Sequence, residues 1–336
     1  MKLYDIISDG MVLQSRKPVR VFGEGKGTVN VSFCGKFFEL QCDGGKWCME
    51  LGAYSYGGPY EMKISLDGQE RTIRDIWIGE VILCSGQSNM EMALASTDFP
   101  AESYEDDDLL RDFYCKYYEK GQPEPTNEWR KCAKESVGKW TAVGYFIGRE
   151  LRKKLGCAVG IINCSRGASI IQSWIDKDIY IGSKLELPLE LLYRDYRRGD
   201  VADWNEPGLL HNVMLEKVFP YSVAAMAWYQ GESNTSVEEG KIYTELLGML
   251  AENVRDEDMD STLPLCVVQI PEWDACAVKG AWKLIQDAQM RAQEKVAYVK
   301  TVVSRDICES DDIHPKKKLE LGVRMADAIL ELINKA

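Results

Sequence analysis

The order of apolar and amphipathic segments predicts an α/β fold in which helices cover both faces of a parallel sheet. Short, nearly continuous apolar runs, typical of strands buried on both faces, recur along the chain. These runs are 81–84, 158–162, 222–228, 265–270 and 298–303. Helical stretches are predicted among them and after the last one, at 137–155, 237–254, 282–294 and 316–333. Because strands alternate with helices, crossover connections should make the strands parallel.

The first 75 or so residues follow a different pattern, in which apolar and polar residues alternate. Examples are the segments 19–22, 28–33 and 60–65, separated by turns rich in glycine and aspartate. A period of two residues is typical of antiparallel strands with one exposed face. We therefore predict a small β-rich module over residues 1–75 and a larger α/β domain over residues 76–336.

Composition excludes several classes of partner. The chain has 336 residues and a formal net charge of −12, so its surface should repel nucleic acid and anionic membranes. No run approaches the roughly 18 apolar residues that cross a bilayer, and the N-terminus lacks the apolar run of a signal peptide. The 11 cysteines contain no C-x-x-C pair, which favours free thiols over a zinc site. We expect a cytoplasmic protein with no metal and no other cofactor.

Two motifs that follow predicted strands offer a nucleophile and a base. Ser88 comes just after the first run, and a serine at a strand-to-helix turn is exposed with its N–H facing outward. Serine is also a common helix cap, which is the alternative for this position. His314 follows the last run and is one of only two histidines in the chain. Imidazole is the most frequent base for a serine nucleophile.

Two further motifs offer hydrogen-bond donors. Gly167 follows the second run, and the lack of a Cβ lets its N–H approach a ligand closely, although an ordinary turn would also contain glycine. Gln230 follows the third run and carries a side-chain amide. Ligand sites of parallel α/β sheets lie beyond the carboxyl ends of the strands. The four motifs therefore predict one site at that edge.

The segments GQSNM, WYQGESN and DIHP resemble conserved blocks of the SGNH hydrolases, specifically the sialate O-acetylesterase-like branch. SDGMVLQ at Ser8–Gln14, GGPY at Gly57–Tyr60 and LHN before the third block resemble the same branch, so the resemblance covers nearly the whole chain. It implies a three-layer α/β/α sandwich around a parallel sheet of about five strands. It also implies a serine esterase that removes O-acetyl groups from a carbohydrate and needs no cofactor.

The resemblance assigns roles to the four motifs. Ser88 would be the nucleophile and His314 the general base. The backbone N–H groups of Ser88 and Gly167, with the side chain of Gln230, would form the oxyanion hole. The reaction would be a two-step acyl transfer through an acetyl-serine intermediate.

The acid of the triad has two candidates. Asp311 has the superfamily's usual spacing of three residues before the histidine, and we favour it on that ground. Asp312 is the alternative, because the sialate-like branch often carries DIHP. The candidate substrate-binding residues are Gln87, Asn89, Arg166, Asn212 and Glu232. Trp174 and Trp273 could stack on a sugar face, although Trp174 could equally pack against the following helix.

The predicted partner is an acetylated mono- or oligosaccharide, and three alternatives remain open. Acetylated fragments of xylan or mannan could replace sialic acid, and Arg166 in the cleft would favour the carboxylate of sialic acid. A carbohydrate-binding protein without catalysis is a different class, which the presence of both Ser88 and His314 disfavours. A glycosidase could instead use Glu232 with Asp311 or Asp312. The sequence makes no prediction of the oligomeric state.

Overall fold

The computed structural model describes residues 1–119, 122–192 and 203–335. The strands are β1 (Lys2–Leu3), β2 (Val12–Gln14), β3 (Pro18–Glu24), β4 (Gly27–Phe33), β5 (Lys36–Cys42), β6 (Lys46–Ala53), β7 (Gly57–Leu66), β8 (Gln69–Gly86), β9 (Asp107–Tyr114), β10 (Trp129–Cys132), β11 (Ala158–Ser165), β12 (Ala225–Tyr229), β13 (Leu265–Gln269) and β14 (Val299–Val303). The helices are α1 (Ser88–Glu91), α2 (Ala142–Leu155), α3 (Lys177–Tyr180), α4 (Leu189–Leu192), α5 (Leu209–Val213), α6 (Val237–Asp258), α7 (Ala281–Lys295) and α8 (Leu319–Ile333). The chain therefore has the mixed α/β character that its sequence predicts.

The core of the molecule is a parallel sheet with the strand order β9-β11-β8-β12-β13-β14. Strand β10 extends it as an antiparallel edge beside β9. Strands β11, β12 and β13 are buried along their whole length, as expected where both faces are covered. Within the described residues, this order contains six parallel strands rather than about five. The additional strand, β9, does not form an apolar run because it carries the buried polar residues Arg111 and Asp112.

Helices cover both faces of this sheet. Cys266 Sγ in β13 lies 4.0 Å from the carbonyl oxygen of Met325 in α8. Gln269 in the same strand donates to the carbonyl of Gln286 in α7, at 3.2 Å. Residues an odd number of positions apart in a strand point to opposite faces, so α7 and α8 lie on opposite sides. Helix α2 packs against α8, and α6 packs against α7.

The ends of the helices follow capping chemistry. Helix α2 begins after Thr141, whose hydroxyl accepts the N–H of Gly144, whereas the sequence pattern placed its start at residue 137. Helix α6 begins with a capping box formed by Ser236 and Glu239. It continues to Asp258, four residues beyond the predicted end. None of the helices in the described ranges combines the length and the apolar character that a membrane span requires.

The strands of the N-terminal region are connected directly to the central sheet. Strand β8 pairs with β7 in its first half and with β11 and β12 in its second half. The predicted boundary at residue 75 therefore lies inside a strand. The pairings of β1 with β3, β3 with β6, β4 with β5 and β4 with β7 are antiparallel. Strand β2 instead runs parallel to β8.

Candidate active site

Ser88 lies at the carboxyl end of the central strand β8, as the first residue of α1. The turn between them depends on Gly86, whose φ is +136°. A Cβ on Gly86 would lie 2.1 Å from the carbonyl oxygen of Tyr229, so only glycine fits against β12. Ser88 is half-buried. Because it begins the helix, its backbone N–H has no partner inside that helix and can face a ligand.

The structure brings His314 into contact with Ser88. His314 lies between β14 and α8, and its Nε2 is 2.7 Å from Ser88 Oγ. The backbone N–H of His314 donates to Asp312 Oδ1 at 2.8 Å. Asp312 is half-buried, whereas Asp311 is exposed. The Asp312 carboxylate therefore contacts the backbone of His314.

Asn89 connects the helix that carries Ser88 to the loop that carries His314. Its amide nitrogen donates to Glu232 Oε1 at 2.7 Å and to the carbonyl of Ile313 at 2.8 Å. Its amide oxygen accepts from Lys318 Nζ at 2.5 Å. Burial lowers the pKa of the Lys318 ammonium to about 8. Asn89, Glu232 and Lys318 are all buried, so these contacts hold the site together rather than face a substrate.

Gln87 and Gln230 form a second buried set of hydrogen bonds. The Gln87 amide oxygen accepts from Gln230 Nε2 at 3.2 Å and from the backbone N–H of Ser233 at 3.1 Å. Gln230 Nε2 also donates to Asn234 Oδ1 at 2.7 Å and to the carbonyl of Ser169 at 3.0 Å. The side-chain N–H groups of Gln230 are therefore directed at acceptors within the protein. Here the amide of Gln230 holds the third motif against the first.

Gly167 lies beside the nucleophile, but its N–H has a partner. A Cβ built on Gly167 would be 3.6 Å from Ser88 Cβ. Its backbone N–H donates to Glu91 Oε2 at 2.7 Å. The other oxygen of Glu91 accepts from the hydroxyl of Tyr114 at 3.3 Å. Glu91 was not among the predicted site residues. The sequence feature that could have identified Glu91 is its position three residues after Ser88, which puts both residues on one face of α1.

Arg166 stands next to Gly167 and is held between two aromatic rings. Its guanidinium carbon is 4.7 Å from the centroid of Tyr117 and 4.2 Å from that of Trp204. Such stacking fixes a cation without neutralising its charge. Arg166 as a whole is half-buried, and the Nε of its guanidinium is buried. Arg166 therefore places a cation beside the Gly167 turn of a chain that is acidic overall.

Asn212 is not brought to this site. Its side chain contacts His211, whose other ring nitrogen binds Glu257. Glu257 lies near the end of α6, a helix of 22 residues. A helix of that length spans roughly 30 Å, and its first turn is the end that adjoins the Gln230 motif. Asn212 therefore lies close to the opposite end of α6 from the other predicted residues.

The two predicted sugar-stacking tryptophans differ in exposure. Trp174 is fully buried and packs edge-on against Trp228, with ring centroids 6.0 Å apart. This corrects the expectation of an exposed stacking face; the ring that Trp174 contacts belongs to β12, whereas the packing alternative named the following helix. Trp273 is half-buried and lies 5.0 Å from Trp282. Across the described ranges, His, Cys, Asp and Glu side chains form no group of three that could hold a metal ion.

Comparisons with known proteins agree with this fold and define the class of protein. Over its full length the chain matches a carbohydrate acetylesterase from Xanthomonas citri, with 31% identity, a TM-score of 0.86 and coverage of 76% of that chain. The protein is thus a carboxylic ester hydrolase. Residues 78–331 match the family described as carbohydrate esterase, sialic acid-specific acetylesterase. The chain belongs to this family.

Two curated relatives have the same name. The chain is 23% identical to the sialate O-acetylesterase of Homo sapiens over 95% of its own length and 68% of that protein. It is also 23% identical to the sialate O-acetylesterase of Mus musculus, over 95% of its own length and 71% of that protein.

Proposed function

We propose that this protein removes O-acetyl groups from a carbohydrate by serine-dependent acyl transfer. The observation that carries the proposal is the 2.7 Å contact between His314 Nε2 and Ser88 Oγ at the carboxyl edge of the sheet. A base at that distance can accept the hydroxyl proton as the oxygen attacks. The buried contacts of Asn89 support the proposal because they set the position of the His314 loop relative to α1.

In the first step His314 takes the proton of Ser88 while Oγ bonds to the acetyl carbonyl carbon. The tetrahedral intermediate then expels the sugar oxygen, which receives the proton from His314. In the second step His314 deprotonates a water molecule as it attacks the carbonyl carbon of the acetyl-serine. The second tetrahedral intermediate then breaks its bond to Ser88 Oγ, which takes the proton back from His314, and acetate is released. The Ser88 N–H, which has no partner inside α1, would be the first donor to the oxyanion. In this proposal Asp312 supports the His314 loop, and Gln230 acts by positioning the third motif.

The proposed substrate is a sugar that carries a carboxylate, such as O-acetylated sialic acid. Arg166 supports this choice because its stacked guanidinium lies beside the Gly167 turn. The named activity of the curated relatives supports it as well. An acetylated neutral oligosaccharide from xylan or mannan is the alternative. A glycosidase is less well supported, because Glu232 is buried against Asn89 rather than open to a substrate.

The experiment compares wild type, Ser88→Ala and Ser96→Ala on 4-nitrophenyl acetate. Ser96 is an exposed serine a few residues along the chain and serves as the matched control. We expect Ser88→Ala to lose at least about 1,000-fold in kcat while remaining folded, and Ser96→Ala to keep wild-type activity. Full activity in Ser88→Ala, or no hydrolysis of any acetate by wild type, would refute the proposal.

The substrate class is tested with acetylated sialic acid and acetylated xylo-oligosaccharide, each assayed for release of acetate. Arg166→Met keeps most of the volume and removes the charge. If the substrate carries a carboxylate, this variant should raise KM for acetylated sialic acid by about 10-fold or more and leave the neutral sugar unaffected. An equal effect on both sugars would favour a neutral substrate.

A further inference from the structure

The carboxylate of Glu91 occupies the Gly167 N–H, which the family resemblance names as one donor of the oxyanion hole. Glu91 Oε2 accepts the Gly167 N–H at 2.7 Å, within the turn that packs against Ser88. Charge-assisted hydrogen bonds of this kind are among the stronger ones in proteins. While this bond persists, the Gly167 N–H is directed at a carboxylate and not at an acetyl carbonyl.

The same carboxylate would also oppose the charge that develops during the reaction. Glu91 and Ser88 lie three residues apart on one face of α1, so an oxyanion formed at Ser88 would lie near a negative side chain. Two negative charges on neighbouring positions of one helix face repel each other in a partly desolvated site. Acyl transfer is therefore favoured only when Glu91 turns away or its charge is engaged by another donor.

Glu91 is half-buried, so part of the residue remains exposed, and it has a second hydrogen-bond donor beside it, the hydroxyl of Tyr114. Its Oε1 is already 3.3 Å from the Tyr114 hydroxyl. Burial, with the nearby charge of Glu91, raises the pKa of Tyr114, so its phenol stays protonated and able to donate. Glu91 would keep this donor after releasing Gly167.

We propose that Glu91 blocks the Gly167 donor in the free enzyme and that a hydroxyl of the sugar draws it away. This proposal rests on the proposed function and deepens it. A hydroxyl adjacent to the acetylated position would donate to Glu91, so the Gly167 N–H could then turn to the oxyanion. A simple aryl acetate has no such hydroxyl and meets the blocked site. Glu91 thereby makes the enzyme selective for acetyl esters of polyols, which includes sugars.

The test measures kcat/KM for 4-nitrophenyl acetate and for an acetylated sugar in Glu91→Ala, Glu91→Gln and wild type. Freeing one oxyanion donor should raise the aryl acetate rate by about 10-fold in Glu91→Ala. The sugar rate should fall by about 10-fold, because the contact with the hydroxyl is lost. Glu91→Gln, which keeps an acceptor but no charge, should move both rates in the same directions by less. Glu102→Ala, an exposed glutamate nearby, is the control and should change neither rate.

The opposite shifts for the two substrates distinguish this role from structural support. If Glu91→Ala and Glu91→Gln lower both rates by the same factor, Glu91 only holds the turn and the proposal is refuted. If Glu91→Ala fails to fold, the direction of change in Glu91→Gln decides. Failure of the proposed function would be recognised separately, because Ser88→Ala would then retain activity on both substrates.

Discussion

Lys318 is a buried lysine whose removal should change how stability depends on pH. It precedes α8, donates to Asn89 Oδ1, and lies 5.0 Å from the ring centroid of Tyr229. Burial lowers its pKa from the ordinary 10.5 to about 8, although the charges of Cys308 and Glu232 act in the opposite direction. The folded protein therefore holds the ammonium form at a cost that the unfolded chain does not have.

The sign and size of the effect follow from that difference in pKa. Between pH 8 and pH 10.5 the folded state binds fewer protons at Lys318 than the unfolded state, so the free energy of unfolding rises with pH. The difference between a pKa of about 8 in the folded protein and 10.5 in the unfolded chain lowers the free energy of unfolding by about 3 kcal/mol, and this loss is fully present below pH 8. Raising the pH from 7 to 9.5 should recover about 2 kcal/mol of it.

The assay is urea denaturation of wild type, Lys318→Met and Lys317→Met at pH 7 and pH 9.5. Lys317 is the adjacent exposed lysine and pairs with Glu309 at the surface, so it controls for loss of a charge in this loop. Relative to Lys318→Met, wild type and Lys317→Met should each gain about 2 kcal/mol at the higher pH. Other groups titrate alike in all three proteins and cancel. An equal change in all three would refute a lowered pKa at Lys318.

Three further predictions concern the acid, the buried contacts and a helix cap. Asp311→Asn should lower kcat on 4-nitrophenyl acetate by roughly 10- to 100-fold, whereas Asp312→Asn, which changes a contact with the His314 backbone, should lower it by less than about 10-fold, and the reverse order would make Asp312 the acid. Asn89→Ala removes three hydrogen bonds of a buried side chain and should lower the free energy of unfolding by about 3 kcal/mol, measured by urea denaturation. It should also lower kcat, and an unchanged kcat would show that Asn89 does not position the base. Ser236→Ala removes the capping box of α6 and should cost about 1 kcal/mol, measured by urea denaturation, with a change below about 0.3 kcal/mol arguing against a capping role.

The strands that the sequence predicts are those whose buried faces are apolar. The ends of strands β11, β12 and β13 agree with the ends of the predicted runs to within three residues. They agree because a strand that is buried along its length has a continuous apolar sequence. Strand β9 is equally part of the sheet but was missed. Its Arg111 is buried because it binds Asp75, and its Asp112 is buried because it binds Arg130. The partners that permit this burial are distant in sequence, so no local pattern reveals it.

The residues of the candidate site also divide into those that the sequence predicts and those that only the structure identifies. Ser88 and His314 were selected because each follows a predicted strand, and the structure brings them together from positions 226 residues apart. Gln87, Asn89 and Glu232 belong to the same motifs but are buried, so their proximity to Ser88 did not make them open to a substrate. Lys318 and Glu91 were not selected, since a lysine after a basic run and a glutamate on a short helix carry no distinctive sequence signal.

The sequence by itself determined the α/β class, the family and the two residues proposed to react, because periodicity and short motifs are local properties of the chain. Only the tertiary structure decided which polar side chains hold the site and which face outward. That outcome depends on partners such as Ile313 for Asn89 and Glu91 for Gly167, which meet only when the strands and loops assemble. Hydrogen bonds act over about 3 Å, so their pattern is set by the packed chain rather than by any segment of it.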